Sequence, residues 1–137
     1  MTAASTTTAP ALGPASEEPG VPTVLDAHAL AELAQLDPTG ANRLVQRVLS
    51  TYITSLERLM AQLTQARTQD DLATIRLVAH TLKSSSASVG ALLLSSMCAA
   101  AELAVRNDQP AALPALLDRL QAEAVRVDTA VRQQLSE

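Results

Sequence analysis

The sequence predicts an all-α fold: an antiparallel up-down four-helix bundle with a short additional helix on its N-terminal side. Three observations carry that reading. Hydrophobic residues make up 47% of the 137 residues, yet aromatics only 1%, a lone Tyr52 with no Trp and no Phe. The core therefore falls to Leu, Val, Ile, Ala and Met, an alanine- and leucine-rich mixture that favours helices. Apolar positions recur at three-to-four spacing through the long stretches, and none alternates over the length of a strand. The connections between stretches are short, which makes chain neighbours antiparallel.

Taken in order, residues 1–22, "MTAASTTTAPALGPASEEPGVP", are dominated by Thr, Ala, Ser, Pro and Gly without an apolar period. Such a segment buries too little surface to offset its ordering entropy, so it is expected to be a disordered tail or linker, with the domain over 23–137. Asp26 is positioned as N-cap of a short helix to about Gln35, with Leu30 and Leu33 inward. "DPTG" (37–40) punctuates. A second helix is expected over about 40–66, where Leu44, Val48, Tyr52, Leu56, Leu59 and Leu63 form one apolar stripe. "RTQDD" interrupts, with Asp70 or Asp71 as the next cap. The third helix spans about 71–87, and the fourth runs from near Gly90 to about Arg106. "NDQP" (107–110) ends it. Pro114 fits early in a helix and poorly in its middle, so the last helix starts irregularly. It then runs to about Gln134, with Leu116, Leu117, Leu120, Ala124, Val127 and Val131 inward.

Composition excludes several classes of function. The net charge is −4 and basic residues do not cluster, which argues against nucleic acid or an anionic membrane as partner. The apolar runs are too short for a membrane span, and the N-terminus lacks the features of a secretory signal. A cytoplasmic monomer is expected. The single Cys98 forms no intrachain disulfide and, with two distant histidines, no recognisable metal site. No nucleotide-binding loop is present, so the chain has no means of making a phosphoryl donor for itself.

One segment stands out: "AHTLKSSSASVGA", residues 79–91. At about 100° per residue, Leu72, Ile75, Val78, Ala79, Leu82 and Ser86 gather on one side of the third helix, and His80 lies roughly 140° from their mean direction. Arg76, Leu77, Lys83, Ser84 and Ala87 share its outer side, and Ala73 extends the mild apolar strip of Leu77. An exposed apolar strip rimmed by polar residues marks docking. Neutral imidazole is a nitrogen nucleophile near pH 7 and can attack the phosphorus of an acyl phosphate to give a phosphoramidate. Lys83 offers the cation that such a transfer needs, since it depends on positioning and electrostatics.

The same residues carry a resemblance. "AHTLKSSSASVGA" resembles the motif of the histidine-containing phosphotransfer (HPt) domain, close to H-x-L-K-G-S-x-x-x-x-G, matched at His80, Leu82, Lys83, Ser85 and Gly90. "CAAAE" (98–102) is similar to the family's Cys-x-x-Leu-Glu element, with Ala101 in place of Leu. Ser84 stands where the family usually has Gly. The resemblance, over about 24–135, implies a four-helix bundle that shuttles phosphoryl groups between receiver-domain aspartates in a two-component phosphorelay. It implies that His80 is the phosphorylated residue and Lys83 its charge partner, and that the protein is a carrier rather than a kinase. Expected partners are response-regulator receiver domains or a hybrid sensor histidine kinase. No cofactor of its own is expected, with Mg2+ on the receiver. The alternative is a helical adaptor that binds a signalling partner through the Leu77/His80 face without chemistry.

The remaining polar residues read as structural. His28, in the first helix, is expected to be a surface or packing residue; Cys98 is expected in the core, and Tyr52 in the core with its hydroxyl near the bundle rim. Ser85 and Ser86 suit close helix packing, Ser88 is placed to cap the turn before Gly90, and Gly90 supplies backbone freedom there. No general base with an orienting acid accompanies the serines, which argues against a hydrolase. Glu102 and Arg106, at i and i+4, are expected to pair on the surface.

Overall fold

The computed structural model describes residues 24–136. The expected tail over 1–22 lies outside the described residues, as does Thr23. The described residues form α1 (Ala27–Gln35), α2 (Leu44–Thr68), α3 (Leu72–Ser88), α4 (Leu92–Arg106) and α5 (Leu113–Leu135), with no strand among them. Each of α2 to α5 packs on its chain neighbours, and α5 closes the ring on α2, which gives the up-down four-helix bundle; α1 lies on α2. Among the described residues no helix is long and apolar enough to cross a membrane.

The helices begin and end where side chains satisfy their free backbone groups. Asp26 caps α1 by accepting from the Ala29 amide at 3.3 Å, and Asp71, of the two candidates, caps α3 by accepting from the Thr74 amide at 3.1 Å. A 3-10 turn over Pro110–Ala112 forms the irregular lead into α5. α2 starts at Leu44, with its apolar stripe and later than the expected start near residue 40. The reason is Asp37, a buried carboxylate that accepts from the backbone amides of Asn42 (3.1 Å) and Leu44 (3.2 Å) and folds 37–43 into a loop. Gly40 and Arg43 take positive φ within that loop.

The core is a column of aliphatic side chains: Leu49, Leu56 and Leu63 from α2, Val78 and Leu82 from α3, Leu94 and Cys98 from α4, and Leu120, Val127 and Val131 from α5. Each such Leu or Val contributes about 1.5–3 kcal/mol by leaving water. Where α3 meets α4 the buried residues are small (Ala79, Ser86, Ala101, Ala104), so the two backbones approach closely. Three expectations need correcting. Leu72 is exposed: it opens α3 at the rim of a groove that it shares with Leu113 and Leu117 of α5. The Tyr52 hydroxyl is not at the rim: it pairs with Ser86 Oγ at 2.8 Å in the interior. Ser88 does not cap the turn, since its hydroxyl donates back to the Ser84 carbonyl at 3.1 Å.

The α3–α4 turn is closed by backbone alone. The Ala91 amide donates to the Ser86 carbonyl at 2.8 Å and the Gly90 amide to the Ala87 carbonyl at 3.1 Å, the double bond of a Schellman motif. Gly90 sits at φ +86° in the left-handed region. The Asp26 amide also donates to the Gly90 carbonyl at 2.8 Å, and a Cβ on Gly90 would lie 2.8 Å from the Asp26 nitrogen. The segment leading into α1 is thereby seated on this turn, so the short helix covers that end of the bundle.

Candidate functional site

His80 lies at the middle of α3, eight residues from either end, so its ring rides on the stiffest part of the helix. The core positions Val78, Ala79 and Leu82 bury the opposite face and leave the His80 side chain 63% exposed. Its Nδ1 lies 2.8 Å from Oε2 of Glu102 on α4. The other oxygen of that carboxylate, Oε1, accepts from the Lys83 ammonium at 2.7 Å. Lys83 is 36% exposed; the Glu102 side chain is 6% exposed, covered in part by the two side chains it binds. The close α3–α4 packing brings the three groups together across 19 and 22 residues of sequence. Ser95 adds a tie, its hydroxyl donating to the Lys83 carbonyl at 2.8 Å.

The electrostatics follow from this geometry. The hydrogen bond from Lys83, and then that from His80, hold the Glu102 carboxyl below its ordinary value, so it is a carboxylate at neutral pH. As an acceptor it receives a hydrogen bond from Nδ1–H, which keeps the proton on Nδ1 and leaves Nε2 as the ring nitrogen with a free lone pair, turned away from Glu102. Cys98, one turn earlier on α4, is buried, and burial pushes its thiol up to about 12; burial likewise pushes the Tyr52 phenol up to about 12. Both therefore stay un-ionised near neutral pH.

The docking residues expected from the sequence all reach the surface. Ala73, Arg76, Leu77, Ser84 and Ala87 are exposed on α3, and Arg76 makes no ion pair among the described residues. Leu103, next after Glu102 on α4, is a large exposed apolar residue on the neighbouring helix that the α3 pattern did not bring to attention. The surface pairing expected for Glu102 and Arg106 is replaced by the bridge to α3, because Glu102 turns into the α3–α4 seam. Of the surface and packing roles open to His28, it takes the surface one, exposed with Glu32 at 3.5 Å on its own helix. Among the described residues no His, Cys, Asp and Glu cluster has the makings of a metal centre.

Comparisons with known proteins agree with this arrangement. A family model described as the Hpt domain matches residues 47–130. The fold is similar to the crystal structure of histidine-containing phosphotransfer protein B (HptB) from Pseudomonas aeruginosa PAO1, with 26% identity and a TM-score of 0.73, over 82% of this chain and 95% of that one. No curated protein matches the sequence.

Proposed function

This chain belongs to the Hpt domain family and is a histidine phosphotransfer protein of a phosphorelay, and from that premise we propose that His80 is the residue that carries the phosphoryl group. The observation that carries the assignment is the exposed imidazole whose Nδ1 is held by the Glu102 carboxylate. With the proton on Nδ1, the Nε2 lone pair attacks the phosphorus of an acyl phosphate on a receiver aspartate. The N–P bond forms as the P–O bond to the aspartyl carboxylate breaks, and that carboxylate leaves with the bonding pair. No proton has to move. The ring keeps its Nδ1 hydrogen and gains positive charge as the bond forms, and Glu102 lies against that charge. Because the phosphorylated ring stays protonated at Nδ1, it remains a good leaving group for the next acceptor, which makes His80 a carrier rather than a dead end.

Lys83 is the cation of the site, and its ammonium offsets negative charge there. Ala73, Arg76, Leu77, Ser84 and Ala87 form the docking surface around the ring, with Leu103 beside it. Gly90 holds the α3–α4 turn that sets the two helices in register. The partners are receiver domains, a hybrid sensor kinase among their sources, and the Mg2+ of the reaction belongs to the receiver. The proposal includes the absence of ATP-dependent kinase activity, a monomeric state and a cytoplasmic location. The test is incubation with receivers phosphorylated by a small acyl phosphate: label is expected on the wild-type chain and absent from His80→Gln. Label retained by His80→Gln overturns the assignment.

A further inference from the structure

We propose that Arg76, one turn before His80 on the outer face of α3, is the residue whose guanidinium holds the phosphoryl oxygens, while the charge of Lys83 is used by Glu102. The inference rests on the reading of His80 as carrier and moves Arg76 from the docking surface into the reaction itself.

The charge count of the site motivates it. The Lys83 ammonium and the Glu102 carboxylate meet at 2.7 Å, so one charge of each sign cancels. An arriving phosphoryl group carries a charge of about −1.5 to −2. The lysine–glutamate pair has no net positive charge to set against it. A further cation on the outer face is needed, and its side chain must not be tied elsewhere.

Arg76 meets both conditions. It is exposed, and among the described residues it makes no ion pair. The side-chain hydrogen bonds of arginine run from Arg58, Arg67 and Arg132, not from Arg76. Residues four apart on a helix share a face, with Cβ atoms about 5–6 Å apart. Helical side chains lean toward the N-terminus, so the His80 ring overlies the turn that carries Arg76. Nδ1 faces Glu102, and the reacting Nε2 points the other way, to the solvent side where Arg76 is free to turn. A guanidinium presents a planar fork of N–H donors that fits two phosphoryl oxygens at once.

Arg106 is the rival cation, exposed and without an ion pair among the described residues. The register of α3 on α4 places it too far away. Ser95 stands opposite Lys83, its hydroxyl donating to the Lys83 carbonyl at 2.8 Å. In an antiparallel pair, eleven residues forward on α4 match eleven residues back on α3, so Arg106 stands level with Leu72. That is about 12 Å along the axis from His80, against about 6 Å for Arg76.

The experiment measures phosphorylation of the full chain by phosphoramidate, with no receiver present. In that reaction the Nε2–P bond forms as the N–P bond of the donor breaks, and ammonia leaves. It compares wild type, Arg76→Met, Arg76→Lys and Arg106→Met. Met keeps the apolar stem of the arginine, and circular dichroism checks each fold. Arg76→Met is expected to be slowed about tenfold, less than the loss of a buried oxyanion donor, because water reaches this site. Arg76→Lys keeps the charge and loses the fork, and a deficit of about threefold is expected. Arg106→Met is expected within about twofold of wild type, since its distance exceeds the screening length of ordinary buffer. On phosphorylation the Nε–H signal of Arg76 should shift in a 15N spectrum, and that of Arg106 should stay in place. An Arg76→Met rate equal to wild type overturns the inference, and so does a deficit seen only with a receiver as donor, which leaves Arg76 to docking alone. Equal losses in Arg76→Met and Arg106→Met, or an unmoved Arg76 signal, also overturn it. Label retained by a His80→Gln control sinks the carrier assignment instead, a separate outcome.

Discussion

Among the described residues there are two histidine–glutamate pairs, and only one of them is built as a site. His28 and Glu32 lie one turn apart on α1 at 3.5 Å, with side chains 80% and 67% exposed. His80 and Glu102 lie on different helices at 2.8 Å, and there the carboxylate is 6% exposed. The pairs share their chemical groups and differ in what surrounds them. In the first, water competes for every hydrogen bond and both side chains are free to leave, so the contact is worth little. In the second, the bundle fixes the glutamate, a lysine takes its spare oxygen, and the imidazole is the most exposed of the three groups. A reactive histidine is made by the group behind it, and that group is positioned by helix packing rather than by sequence proximity.

The largest test of this contrast removes each ring in turn. His80→Gln should abolish phosphorylation by a receiver, and His28→Gln should leave it unchanged, both read as label on the chain. The next removes the orienting charge. Glu102→Gln should slow transfer by about tenfold to a hundredfold, as losses of a buried orienting partner do, whereas Glu32→Gln should leave the rate within about twofold. The 15N chemical shifts of the His80 ring should report loss of the fixed tautomer in the first variant and no change in the second. A third strains the turn on which α1 is seated. Gly90→Ala puts a Cβ into the Asp26 backbone at a left-handed φ and should cost about 2 kcal/mol, seen as a lower melting temperature. It should disturb the α3–α4 turn and push α1 away from it, while the His28–Glu32 pair, contained within one helix, moves with that helix.

The smallest effect is one of pH. The Glu102 carboxyl is held below its ordinary value of 4.5 in the fold, with Lys83 the larger cause and His80 the next. Its contribution to stability is thus complete above that value and is lost as pH falls through the lower folded one. The stability difference between wild type and Glu102→Gln should be constant at neutral pH and shrink only on acidification below the usual carboxylate range, as followed by urea unfolding. A difference that grows on acidification would mean that the carboxylate is destabilised by its surroundings.

Much of this was legible in the chain itself. The helix count, the outward turn of His80 and the exposure of Leu77 followed from three-to-four spacing, because a helix face is a local property. The cap at Asp26 and the left-handed Gly90 were legible for the same reason. Glu102 was legible as half of an i, i+4 pair with Arg106 and as the end of the family-like "CAAAE" element, but not as the partner of His80 and Lys83, which lie 22 and 19 residues away across a helix–helix seam. Its place in "CAAAE", a segment of small residues where α4 can approach α3, was the one available signal. The late start of α2 escaped for a similar reason: Asp37 binds the amide of Leu44 seven residues on, a reach that apolar periodicity does not register. What spacing within one helix could not show was held in contacts between elements.

The solitary Tyr52 has a practical consequence. With no tryptophan and no other tyrosine, all near-ultraviolet signal of the chain comes from one phenol sealed against Ser86, on the same helix as His80. Burial keeps that phenol from ionising until about pH 12. Tyrosinate absorbance appearing at pH 10 to 11 would therefore announce that the bundle had opened, giving the molecule an optical seal whose breaking can be watched without any label.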